Sequence, residues 1–222
     1  MFDYVSMSDE PKVKDKSSPV SEHKSETSFA FPTLGIKLRG FRDFIEINGS
    51  EDAFIKVASA TKFPCLCFSR TVCIEEPMTT KEVCDRFLKP LTFASKSSYC
   101  EYLQNRDSKL VGEANVFISH AWKYHFMDVV RSLEHHFKDE AENVFVWFDL
   151  FSTNQHQAPN LPFEWWQGIF GNAIGKIGRV VMVLSPWNNP IPFTRAWCLW
   201  EIYCAVTTGS KFEVAITPNQ YT

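Results

Sequence analysis

The chain has 222 residues, 45% hydrophobic and 22% charged, which is ordinary globular usage and speaks against a fully disordered, collagenous or coiled-coil chain. A formal net charge of −3 is too weak a field to hold a phosphate backbone, so nucleic acid is not an expected partner, and no run approaches the roughly 18 apolar residues of a membrane span. Aromatic residues are in surplus at 15%, with 20 Phe, 7 Trp and 6 Tyr, which predicts a ring-rich core with large rings left over for a pocket or an interface.

Residues 1–30 are rich in Ser, Lys and Glu, carry Pro11 and Pro19, and show no apolar period, so a disordered tail is expected. Its opening, MFDYVSMSDEPKVKDK, has no basic segment leading into an apolar stretch, so the expected location is cytoplasmic. Seven Cys at irregular spacing, Cys65, Cys67 and Cys73 among them, then read as reduced, buried thiols rather than as a disulfide framework. Residues 31–112 read as a small N-terminal α+β subdomain. Phe44–Asn48 and Ala53–Ala58 are predicted strands. Thr79 followed three residues later by Glu82 is a capping-box spelling for a helix through Leu88, stopped by Pro90; Ser98 with Glu101 opens a second helix.

From residue 113 the pattern changes to short apolar runs separated by helix-length segments. Val116–Ile118, Val144–Phe148, Val180–Leu184 and Phe212–Ile216 are predicted strands, all but the last without polar alternation and so buried on both faces. Residues 126–137, 163–177 and 195–206 carry apolar residues at helical spacing. Strands alternating with helices predict an α/β fold, a doubly wound parallel sheet. Phe163, Trp165, Trp166, Ile169 and Phe170 read as core packing or a partner face.

In open α/β sheets ligands sit beyond the carboxyl ends of the strands. Those ends deliver Ser119, His120 and Trp122, then Asp149, then Ser185 and Trp187, and the third loop leads into Trp197 and Glu201. Glu201 is the only charged residue from Ala196 to Ala205, so a buried carboxylate with a raised pKa is expected there. The alternative is a Glu that points to solvent or pairs with Arg195 or Lys211. Trp197 and Glu201 are four apart and share a helical face, an arrangement that suits an aromatic cationic heterocycle on a sugar: ring on indole, carboxylate on ribose hydroxyls. The alternative there is a core Trp beside a chance Glu.

The segments VFISHAW (116–122), FVWFDLF (145–151), VVMVLSPW (180–187) and RAWCLWEI (195–202) together resemble the successive motifs of the Toll/interleukin-1 receptor (TIR) domain. The resemblance covers residues 115–217 and implies a flavodoxin-like fold, incomplete at its C-terminus, because the family continues with two more helices and a strand. A weaker resemblance is to segments that precede tetratricopeptide repeat arrays in large eukaryotic proteins. The TIR resemblance implies one of two roles in stress or innate immune signalling. One is an NAD+ glycohydrolase that self-associates and cleaves the nicotinamide–ribose bond, with Glu201 catalytic, NAD as substrate, and Ser119, His120, Trp122, Asp149, Ser185, Trp187 and Trp197 binding it. The other is a non-catalytic module that assembles with its own kind through TIR-like surfaces.

Other chemistries find less in the sequence. His120 and His125 are five apart, and no HExxH or paired CxxC occurs, so no metal site is expected. Ser119 and Ser185 end strands, yet no GxSxG is present. Cys198 or Cys204 would act as a nucleophile only with an activating base, for which His120 is the conceivable partner.

Overall fold

The computed structural model describes residues 32–62, 71–106, 108–160 and 163–217. The expected tail at 1–30, Cys65 and Cys67 lie outside the described residues, as do the side chains of Cys73, Phe163, Trp165 and Ile169. In chain order the elements begin with β1 (Leu34–Ile36), α1 (Leu38–Ile47), β2 (Ile55–Lys62) and β3 (Thr71–Pro77). α2 (Thr80–Val83) runs through a π turn at Cys84–Leu88 into α3 (Lys89–Leu91), followed by α4 (Tyr99–Gln104) and β4 (Val111–Glu113). Then come β5 (Val116–Ser119), α5 (Phe126–His136), β6 (Val146–Phe148), α6 (Asp149–Ser152), α7 (Phe163–Ile177), β7 (Arg179–Leu184), α8 (Ala196–Thr207) and β8 (Lys211–Ile216).

The four apolar runs after residue 113 all become strands, and they pair in parallel in the spatial order β6-β5-β7-β8. The whole sheet is α/β but mixed, which corrects the expectation of an all-parallel one. Its order is β4-β1-β6-β5-β7-β8, and β1 runs antiparallel to both β4 and β6. The physical gain is that β1 covers the edge β6 would otherwise leave open. β1 fits there because Gly35 lies against the backbone of Phe145; a Cβ on Gly35 would sit 2.8 Å from that carbonyl oxygen. β1 and β4, from the N-terminal stretch, therefore enter the same sheet, whereas β2 and β3 pair antiparallel in a two-stranded sheet of their own; Pro32–Thr222 cluster as one compact unit.

The pleat sends alternate side chains to opposite layers. Val116 and Ile118 of β5 join a cluster with Phe41 and Phe44 of α1 and Phe126, Val130 and Leu133 of α5. Phe117, between them, stacks on Trp147 at 4.8 Å and meets Phe170 of α7 at 5.6 Å, on the layer where α7 and α8 pack together. Trp166 and Phe170 are buried in that layer, 5.5 Å apart. The aromatic surplus goes largely into the first layer. Phe44 touches the rings of Phe54, Tyr99, Phe126 and Phe151, and Phe41 meets Phe148 and Phe151.

Two N-terminal readings are corrected. Phe44–Asn48 lies in α1 and its cap, not in a strand: Leu38, Phe41, Phe44 and Ile45 are buried at three and four spacing, and that amphipathic face outweighs the β-branched Ile45 and Ile47. Pro90 does not stop the helix that Thr79 opens. The Lys89 amide reaches back five residues to the Cys84 carbonyl, and Pro90 follows this widened turn, where its missing N–H interrupts an already broken ladder. Both capping boxes form, at Thr79 with Glu82 and at Ser98 with Glu101.

Candidate functional site

The crossovers from β5 and from β6 leave in opposite directions along the sheet, so the strand order reverses at β5, and the carboxyl ends of β5 and β7 flank the reversal. Ser119 is the last residue of β5 and pairs in register with Met182 of β7. Its hydroxyl donates to the Glu201 carboxyl of α8, a helix that packs on β8 and, through Cys198, on Met182 and Leu184 of β7. Glu201 is 8% exposed, so the solvent-facing alternative does not hold. Burial pushes its carboxyl up to about 8; the Ser119 bond opposes this, the negative charge of Asp149 adds to it, and Arg195 opposes it. At neutral pH the carboxyl is therefore mostly protonated.

Around this pair lie the other strand-end residues. His120 is buried, its ring 4.6 Å from that of Phe148 and its Nδ1 3.7 Å from Asp149 Oδ1, and neither ring nitrogen has a hydrogen-bond partner. Burial holds its pKa below the usual imidazole range, against the pull of Asp149 and with Arg195 adding to the fall. Asp149 is fixed by two donors, the Trp122 indole N–H at 2.5 Å and the Leu150 amide at 2.7 Å. Cys198, three residues before Glu201, has its thiol pushed up to about 12 by burial, with Glu201 adding to the rise. Its Sγ points to the carbonyl of His120 at 3.9 Å, not to the imidazole, so no base activates it as a nucleophile.

The structure gathers Ser119, His120, Trp122, Asp149 and Glu201. Trp197 is half-buried against Phe170 of α7, with ring centroids 5.9 Å apart. Trp187 is 58% exposed on the loop after β7. Ser185 accepts at its hydroxyl from Thr217, and its amide donates to the Tyr124 hydroxyl at 3.1 Å.

Models of protein families, curated proteins and solved structures give no match to this chain.

Several neighbours of the site carry no sequence signal. The first turn of α2 leaves amides without helical partners, and those of Thr80 and Lys81 donate to the carbonyls of Tyr124 and Trp122, pinning the loop after β5. The negative charge of Asp149 reaches Cys84 in the same segment. Gln155 is buried and its amide group donates to the carbonyls of Asp149 and Leu150, fixing the turn that follows β6. The contacts of Thr80, Lys81 and Cys84 join residues more than 40 positions apart, which no local pattern announces. Among the described residues no three His, Cys, Asp or Glu side chains group as for a metal ion, and no helix is long and apolar enough to cross a membrane.

Proposed function

We propose that this chain is a TIR-like domain, flavodoxin-like in its parallel strands, that cleaves the nicotinamide–ribose bond of NAD+ through Glu201 when it self-associates. The observation that carries this reading is the Glu201 carboxyl, buried and held by Ser119 at the reversal of strand order. The parallel order β6-β5-β7-β8 supports the flavodoxin-like assignment.

A protonated carboxyl kept from water responds strongly to charge. The pyridinium of NAD+ brings a positive charge beside it, which lowers the carboxyl's pKa and releases its proton to solvent water. The resulting carboxylate orients the ribose hydroxyls and stabilises the positive charge that develops at the anomeric carbon as the bond breaks. With Glu201 covered in the single chain, ribose reaches it only after the rim opens, in keeping with an activity that depends on assembly.

The second reading, a non-catalytic self-associating module, is favoured by the outer face of α8. Leu199, Tyr203 and Val206 are 47%, 56% and 72% exposed along one stripe, an apolar surface suited to another copy of the domain. The test is nicotinamide release from NAD+ by the full chain clustered on vesicles. The Glu201→Ala variant is expected to fall about 100-fold or more below wild type, the range of a removed electrostatic stabiliser. Equal release from both proteins rejects the role of Glu201, and no release from either leaves the interaction module.

A further inference from the structure

We propose that His120 is the base that takes the proton from the water attacking the ribose, an inference that rests on the role proposed for Glu201. Cleavage needs two separate services. Breaking the bond between the anomeric carbon and the ring nitrogen returns its electron pair to that nitrogen, so nicotinamide leaves neutral and needs no acid. The water oxygen then bonds to the anomeric carbon, and one of its protons must go elsewhere. Glu201 serves the developing cation, and a second group has to accept this proton.

His120 offers an open acceptor for it. Its side chain is 1% exposed, yet neither ring nitrogen has a hydrogen-bond partner, an arrangement that costs free energy unless a ligand or water completes it. It directly follows Ser119, the residue that holds Glu201, and both titratable groups feel the charges of Asp149 and Arg195. Asp149, oriented by Trp122 and Leu150, stands 3.7 Å from Nδ1. A proton on Nδ1 faces that carboxylate and leaves Nε2 as the acceptor. Once Nε2 has taken the proton, the imidazolium lies beside Asp149, which makes Asp149 a positioning residue for the base. Burial, which keeps the ring neutral beforehand, serves the same role.

Water and a pyridine differ as acceptors of the ribosyl group, because a pyridine has no proton to lose. The clustered full chain is therefore given NAD+ with and without 3-acetylpyridine, and hydrolysis and base exchange are followed separately. His120→Gln is expected to lose about 100-fold or more in hydrolysis, the scale of a missing general base, while exchange continues at the wild-type rate. Glu201→Gln is expected to lose both. In wild type, a solvent deuterium isotope effect on hydrolysis that is absent from exchange tests the same proton transfer without a substitution. Unchanged hydrolysis in His120→Gln, a parallel loss of both reactions, or no isotope effect overturns the role of His120 while Glu201 stands. A wild-type chain inert in both reactions overturns the role of Glu201 and this inference with it.

Discussion

At the scale of single residues, Glu201 dominates because it is an acid kept from water. Its folded pKa, about 8, lies above the ordinary value of 4.5, so the folded chain holds this proton more tightly than the unfolded one. The resulting stability is fully present below about pH 4.5 and is lost as pH rises through 8, a window worth on the order of several kcal/mol. Glu201→Gln keeps the shape and cannot ionise. Melting curves from acid to mildly alkaline pH are expected to show wild type losing stability relative to the variant across that window; parallel curves would mean the carboxyl is solvated. The burial was legible in the sequence, since Glu201 interrupts an otherwise apolar helix. Its partner was not: Ser119 lies 82 positions away, and the sequence pointed to Trp197, which packs on Phe170.

At the scale of elements, local sequence signals specify structure wherever one physical cause acts alone. The continuous apolar runs gave β5 to β8, the helical spacing gave α5, α7 and α8, and the two capping boxes gave the starts of α2 and α4. Where causes compete, the local pattern does not decide the element. β-branched residues in Phe44–Asn48 suggested a strand, but the amphipathic face over residues 38–45 prevailed, and three-residue strands such as β1 and β4 are too short to show any period. Phe44→Ala tests the α1 packing. Phe44 is fully buried among four rings, so its truncation is expected to cost about 3–5 kcal/mol in chemical denaturation. A loss near zero would mean that α1 does not hold the ring cluster.

At the scale of the molecule, residues 32–112 are part of the body that builds the site. They supply β1 and β4 to the sheet, half of the ring cluster, and the helical turn that pins the loop carrying Trp122. A chain cut to residues 113–222 is expected to lose cooperative unfolding, because β6 becomes an open edge and the apolar face under α1 is bared. Circular dichroism and a denaturant titration check this; a fragment as cooperative as the full chain would restore the boundary expected near residue 112. The resemblance that suggested a TIR-like activity rests on four short segments, and three of the four, through Ser119, Asp149 and Glu201, contribute to the gathered cluster. The most direct measurement is a crystal structure of the clustered chain with a non-cleavable NAD+ analogue. The proposed roles predict the nicotinamide ribose hydroxyls on the Glu201 carboxyl, with the anomeric carbon between Glu201 and His120; an analogue bound elsewhere, with the Ser119–Glu201 contact undisturbed, would contradict them.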